Sequence, residues 1–336
     1  MLNNVYIVES PTQLLSAIEA KAVNVGNHML IVNYGPEDRL ENKNQIKELA
    51  SATSWQYVYR IRNLNNKYLN LLAMFYYLFK FQLKFNRNNT QVYIGEYRNL
   101  LFCLIAKVVS KSKIILLDDG AVTILLQKRY FGKGVGLRTY YQGTNSYKVL
   151  SLFSRLFSFD FDDNPPNLFS VFNLDKWLFS DQVNTRVKCE STEIETLDDF
   201  YFFGAKYSEA GLLSLEVEIK LLKSAFDYSY KKYKRKIIYI AHRDDSNEKL
   251  KIIKTLGVEV KYLGKPCEDY FKKLQSVPKY IGGFYTTSLI SLPTLFKIDN
   301  VLSFDLSTHL TTEKAKGNVE YIYDYLKSIG INVVQV

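Results

Sequence analysis

Asp118 and Asp119 stand side by side where an apolar run, Ile114-Ile115-Leu116-Leu117, stops, and Gly120 follows at once. Adjacent carboxylates repel each other and resist desolvation, so the end of a buried strand is an unfavourable place for them. Three uses fit the pair. The acids can cap the next helix while Gly120 makes a tight turn. One can serve as a general base, because a like charge and an apolar wall raise a carboxyl's pKa towards neutrality. Or the two can bind a metal ion together.

His242 is one of three histidines, with His28 and His309, and directly follows the apolar run at 237–241. As a cation there it could bind a phosphate or protonate a leaving group, with Arg243 adding charge. The bland alternative is a polar strand end, with Asp244, Asp245 or Ser246 capping a helix. A third run ends in Gly282-Gly283 and leads to Thr286, Thr287 and Ser288 before an apolar helical stretch. Hydroxyls and free N–H groups at a helix N-terminus make an anion site. The same residues also serve as an N-cap beside a turn. A carboxylate pair followed by a histidine and a hydroxyl cluster suits a two-domain transferase, with the acceptor on the first domain and a donor nucleotide on the second.

Strand–helix alternation has to position these ends. Strands read over residues 4–10, 28–34, 91–95 and 113–117, and helices over 12–22, 68–85 and 99–109, the first opened by Pro11. Between about 145 and 198 the pattern dissolves, and Pro165-Pro166 beside an acidic cluster marks a boundary. Strands resume over 199–204, 236–241, 258–263, 278–283, 300–304 and 331–336, with helices over 213–228, from 247, and over 321–328. Such alternation implies parallel sheets covered by helices, with ligands at the carboxyl ends of the strands.

With 336 residues the chain is long enough for two domains, and 47% hydrophobic residues suffice for sizeable cores. Cys103, Cys189 and Cys267 are odd in number and far apart, which argues against a disulfide framework or zinc site and for a reducing compartment. The N-terminus reads as a strand rather than a signal peptide. The longest apolar run, Leu71 to Phe79, falls short of the roughly 20 residues a spanning helix needs. The expected location is therefore cytoplasmic. A net charge of +10 favours an anionic partner: nucleic acid, phospholipid, nucleotide or acidic glycan. The 26 Tyr and 21 Phe suit stacking on sugars or bases as well as an aromatic core.

The order of Asp118-Asp119-Gly120, a strand-end His242 and the Thr287-Ser288 pair resembles the bacterial sialyltransferases of GT-B fold, of the polysialyltransferase and lipooligosaccharide sialyltransferase type. Residues 5–20 are similar to their N-terminal strand–turn–helix, with Ser10-Pro11 and Gln13 in matching places. Residues 201–214, including Gly204, resemble the start of their nucleotide domain, and 266–271 the segment whose Glu binds the donor ribose. The resemblance implies two Rossmann-like domains facing each other across a cleft: an acceptor domain over 1–160, a linker over 161–198 and a CMP-sugar domain over 199–336. It implies that Asp118 is the general base with Asp119 supporting, on an acceptor side that includes Ser10, Gln13 and Gly120; Arg98 is added to that side only by its place just after a strand end. On the donor side His242 is the general acid on the CMP phosphate, Thr286, Thr287 and Ser288 hold that phosphate, and Glu268 takes the ribose. No metal or cofactor is implied; the reaction is inverting transfer of a nonulosonic acid from its CMP derivative to a capsule or lipooligosaccharide glycan. The family's His-Pro is His242-Arg243 here, and the added charge could pair with a donor carboxylate or with Asp244, leaving Kdo open as the sugar.

Residues 97–99 either face the acceptor or start a helix. The basic runs at 80–85 and 230–236 read as solvated faces that could also hold the protein at an anionic inner membrane near a lipid-linked acceptor. Other readings are a transferase using a UDP- or GDP-sugar, a metal-dependent one with Mn²⁺ on Asp118 and Asp119 as in DxD motifs, and a nucleic-acid-binding protein. The last lacks a recognisable motif or a basic stripe, and no GxGxxG follows the first strand to suggest a dehydrogenase.

Overall fold

Residues 5–8, 30–32 and 200–203 are buried without alternation, the signature of parallel strands covered on both faces. The computed structural model describes residues 2–34, 40–62, 66–161, 164–185 and 194–336. The chain divides into two units, Met1–Val187 and Lys188–Val336.

In chain order the first unit contains β1 (Asn3–Val8), α1 (Pro11–Val23), β2 (Asn27–Asn33), α2 (Leu40–Ser51), β3 (Tyr57–Ile61), α3 (Lys67–Lys84), β4 (Thr90–Ile94), α4 (Leu100–Val109), β5 (Ile115–Leu117), α5 (Ala121–Arg129), α6 (Leu137–Tyr141), α7 (Asn145–Phe157), β6 (Asn167–Phe169) and β7 (Asn184–Thr185). Its described strands form one sheet in the order β3-β2-β1-β4-β5-β6-β7, parallel throughout. Tyr6, Val8, Leu30, Val32 and Tyr93 pack under α1 and α2 as its core.

The second unit contains β8 (Glu195–Phe203), α8 (Leu215–Tyr233), β9 (Ile237–Ile240), α9 (Asn247–Thr255), β10 (Glu259–Lys261), α10 (Cys267–Leu274), β11 (Ser276–Gly283), α11 (Ser288–Phe296), β12 (Asn300–Asp305), α12 (Glu313–Ser328) and β13 (Asn332–Gln335). Its sheet, β10-β9-β8-β11-β12-β13, is also parallel. Tyr201, Phe203, Ile238, Ile281 and Leu289 form its core.

Both sheets follow the doubly wound order, in which the strand order reverses beside the first strand and opens a crevice at the carboxyl ends. That crevice lies between β1 and β4 in one domain and between β8 and β11 in the other. The two-Rossmann architecture expected from sequence is present.

The linker expectation is corrected. Residues 167–169 pair with β5 and 184–185 with β6, so the segment after Pro165-Pro166 completes the first sheet. Residues 162–163 and 186–193 of that stretch, Cys189 among them, lie outside the described residues. The second domain starts earlier than expected, because β8 begins at Glu195. Residues 145–157, where the pattern was read as dissolving, form α7 with Leu150, Phe153 and Phe157 buried. Cys103 and Cys267 are free thiols.

Candidate active site

Pro11 opens α1 and Ser10 caps it, accepting from the Gln13 N–H at 3.2 Å, which fixes Gln13 in the first turn. The buried Gln13 side chain then works at both ends. Its Oε1 accepts from the Glu9 N–H at 2.8 Å and its Nε2–H donates to Asp119 Oδ1 at 2.9 Å. A Cβ on residue 95 would lie 2.3 Å from that Oε1, so only glycine lets Gln13 pass the end of β4. Ser10 and Gln13, expected to touch substrate, thus cap a helix and hold Asp119.

Asp118 and Asp119 do not cap α5. Gly120 is the N-cap, without a side-chain cap bond and at φ +64°, a conformation that favours glycine. Gly120 is explained by this turn. The two acids turn in different directions. Asp118 is 5% exposed, its Oδ2 accepts from the Val171 N–H at 2.8 Å, and its Oδ1 is buried without a hydrogen-bond partner. Burial pushes its pKa up to about 7, against hydrogen bonding that favours the carboxylate. The Asp119 side chain keeps 22% of its exposure and lies 3.5 Å from the Arg98 guanidinium. Burial and then Glu96 lift it to about 6, opposed by Gln13 and Arg98.

Arg98 is gripped by Glu96, whose Oε1 accepts from both the Arg98 backbone N–H and Nε at 2.8 Å while Oε2 pairs with Nη2. The stretch 97–99 starts a helix, one of the two things expected of it. Tyr97 is buried, Asn99 caps α4, and the Asn99 amide donates to Glu9 Oε2 at 2.9 Å. Asn33 donates to the same oxygen at 3.0 Å, and burial still raises Glu9 above its usual range. A polar cavity of about 510 Å³ opens here, lined by Glu9, Glu96, Arg98 and Asn99 with Asn70 and Met74 of α3. Glu9 and Glu96 were missed in the sequence. Their signal was position: each directly follows or nearly follows a strand flanking the reversal of strand order.

On the second domain Ser246, of the three candidates, caps α9 by accepting from the Lys249 N–H. Asp245 turns inward, its Oδ2 accepting from the His242 N–H at 2.8 Å and the Tyr239 hydroxyl at 3.0 Å. Its Oδ1 meets Lys249 Nζ at 2.9 Å. Lys249 is wholly buried and also reaches Glu218 at 2.5 Å and the Ala205 carbonyl at 2.8 Å. This cluster, absent from the sequence reading, fixes the His242 turn. Asp244 faces outward and pairs with Lys206 at 2.8 Å, and Arg243 also acts on it through charge.

His242 is not the cation expected. Burial, Arg243 and nearby lysines lower its pKa to about 4. Its Nδ1 lies 3.1 Å from the Asp244 N–H and accepts from it, which puts the ring proton on Nε2. The ring is a neutral N–H donor.

Several expected donor residues have packing roles. A Cβ on Gly204 would strike the Tyr239 hydroxyl at 2.1 Å, and Gly282 and Gly283 make room for the Phe200 ring and the Phe203 carbonyl. The Ser288 hydroxyl faces Cys267 Sγ at 3.2 Å, and Glu268 accepts a short hydrogen bond from Ser291. Thr287 is the N-cap of α11 without a side-chain cap bond, and Thr286 precedes it. At the start of this nine-residue helix the Leu289 N–H donates to the Thr286 carbonyl, and the Ile290 and Ser291 N–H groups to the Thr287 carbonyl. Among the described residues, no three His, Cys, Asp or Glu converge to hold a metal ion, and no helix is long and apolar enough to cross a membrane.

No known protein-family profile matches the chain, and no curated protein sequence does. Solved structures do. An α/β-galactoside α-2,3-sialyltransferase from the marine bacterium Photobacterium phosphoreum is 13% identical with a TM-score of 0.51, covering 99% of this chain and 98% of that one. Acinetobacter baumannii MurG is 12% identical at 0.49, over 100% of this chain and 86% of that one, and E. coli heptosyltransferase WaaC with ADP is 10% identical at 0.41, over 100% and 93%. The first likeness is one of fold. Together with the two doubly wound sheets it gives the chain a GT-B-type architecture.

Proposed function

We propose that the protein is an inverting, metal-independent glycosyltransferase that moves a sialic-acid-type sugar from its CMP derivative to a hydroxyl of a bacterial surface glycan. The observation that carries this reading is Asp119, an accessible carboxyl raised to about 6 and held by Gln13 at the carboxyl edge of the first sheet. A base has to reach its substrate, and Asp118 is turned into the protein. The base role expected of Asp118 therefore passes to Asp119.

In the proposed reaction the acceptor hydroxyl gives its proton to the Asp119 carboxylate as its oxygen attacks the anomeric carbon. The carbon–oxygen bond to the phosphate breaks, the electron pair leaves on CMP, and the anomeric centre inverts. Arg98 next to Asp119 keeps the carboxylate ionised and aims it. On the second domain the neutral His242 Nε2–H and the α11 N-terminus at Thr286, Thr287 and Ser288 stabilise the departing phosphate as hydrogen-bond donors. His242 thereby supplies a hydrogen bond rather than a proton. Glu268 takes the ribose hydroxyls after exchanging its bond to Ser291. Arg243 beside His242 takes the sugar carboxylate in this account. The fold shared with a sialyltransferase and the order of the motifs support this donor class.

CMP binds the folded state selectively in this account, so it raises the melting temperature in the presence of a chelator, adding roughly 2.7 kcal/mol of stability at a hundred times its Kd. A shift with UDP or GDP and none with CMP overturns the donor assignment.

A further inference from the structure

Tyr68, Leu72, Phe75, Phe79 and Leu83 recur on α3 at helical spacing and all face outward, Tyr68 at 80%, Leu72 at 66% and Leu83 at 74% exposure. The opposite side of α3 is an ordinary core face, with Met74, Leu78 and Phe81 buried. A continuous apolar stripe left in water on one helix is unusual for a soluble surface. It continues onto α7. Phe75 packs on Phe157 with ring centroids 5.5 Å apart, and Leu152 and Leu156 of α7 are exposed beside it.

The charges on these two helices have one sign. Neither α3 nor α7 contains an Asp or Glu. Lys80 and Lys84 flank the α3 stripe, resting on the Tyr76 and Tyr57 rings at 5.7 and 4.5 Å, and Lys148 and Arg155 are exposed on α7. A second copy of this face would set lysine against lysine, so an isologous dimer is disfavoured. An anionic lipid surface is the complementary partner. Apolar side chains enter the acyl boundary, tyrosines sit at headgroup level, and lysines meet the phosphates.

We propose that the outer face of α3 and α7 is a membrane-docking surface for an anionic phospholipid bilayer. Because Asn70 and Met74 of the same helix line the polar cavity, docking holds that cavity beside the lipid. The proposal rests on the surface itself and stands apart from the CMP-sugar reading.

The test is co-sedimentation of the full chain with phosphatidylcholine vesicles containing about 30 mol% phosphatidylglycerol, against vesicles of phosphatidylcholine alone. The wild type binds the anionic vesicles and binds the neutral ones at least several-fold more weakly. The Leu72→Ser/Phe79→Ser/Leu83→Ser variant keeps its melting temperature, since these side chains are exposed, and loses about tenfold or more in vesicle affinity. Lys80→Glu/Lys84→Glu loses affinity for the anionic vesicles specifically. Equal binding to both vesicle types, no binding to either, or full binding by the triple-serine variant overturns the proposal. So does a wild-type dimer in free solution that the triple-serine substitution dissolves without any vesicle binding. A CMP thermal shift measured in parallel separates the two accounts. Vesicle binding without a CMP shift keeps the docking surface and removes the donor assignment.

Discussion

The chain places two adjacent aspartates just beyond a strand twice, Asp118-Asp119 after β5 and Asp244-Asp245 after β9. Burial raises the inward acid of both pairs, but the partners that oppose it differ. In each pair one acid turns inward and one outward. Inward-facing Asp245 is met by a buried ammonium, a tyrosine hydroxyl and a backbone N–H. Inward-facing Asp118 has the Val171 N–H and the Ser170 and Thr123 hydroxyls to favour its carboxylate, but no cation, and its Oδ1 has no close partner. Burial outweighs these and carries its pKa to about 7. The outward acids differ in the same sense. Asp244 pairs with Lys206 and is lowered, whereas Asp119 sits near Glu96 and is raised to about 6. One aspartate pair fixes a turn, and the other sets a carboxyl raised to about 6 at the edge of the first sheet.

The largest effect expected from this contrast is on turnover. Asp119→Asn preserves the bond to Gln13 in shape but cannot take a proton, so kcat for transfer from CMP-sialic acid falls by about 10²–10⁴-fold with little change in melting temperature. Retention of more than a tenth of wild-type turnover would break the assignment. Next comes stability. Lys249→Met leaves Asp245 and Glu218 buried without their cation and costs about 3–5 kcal/mol in urea unfolding. A loss below about 1 kcal/mol would mean the second pair is not held by compensation at all.

A smaller effect concerns pH. Asp118 has a folded pKa above its unfolded one, so its contribution to stability is full below about pH 4 and is lost as pH rises to about 7. The stability difference between wild type and Asp118→Asn should therefore decline across that window, by at most ~1.4 kcal/mol per pH unit, and flatten above it. A difference independent of pH contradicts the buried, protonated state. The smallest effect is positional. Gln13→Leu removes a hydrogen bond that favours the Asp119 carboxylate, so the acid limb of the rate profile moves up by about one unit or less. An unmoved limb would leave Gln13 a purely structural residue.

The βαβ alternation was legible because parallel strands buried on both faces read as unbroken apolar runs, as at 5–8 and 237–240. The strands at 167–169 and 184–185 were not, since three and two residues in a polar, proline-containing stretch carry no period. The motifs marked strand ends, but not how their side chains turn. Which aspartate turns inward depends on the Val171 N–H, 53 residues away from Asp118 and inside the segment read as a linker. The low His242 pKa depends on burial and on Lys206 and Lys249, brought in by the fold. Glu96 and Arg98 were close in sequence, yet their grip on each other and on Asp119 exists only once β4 and β5 lie side by side. The packing demands on the glycines were not legible either: Gly204, Gly282 and Gly283 make clearances for aromatic rings and backbone that only the fold brings up to them.

The central claim is that Asp119, and not its buried neighbour, is the titrating base. The direct measurement is the pH dependence of kcat for transfer from CMP-sialic acid by the Asp118→Asn variant. The account predicts turnover within about tenfold of wild type and an acid limb retained near pH 6, because Asp119 is untouched. Loss of turnover at every pH, with the variant folded and still binding CMP, contradicts it and returns the proton to Asp118.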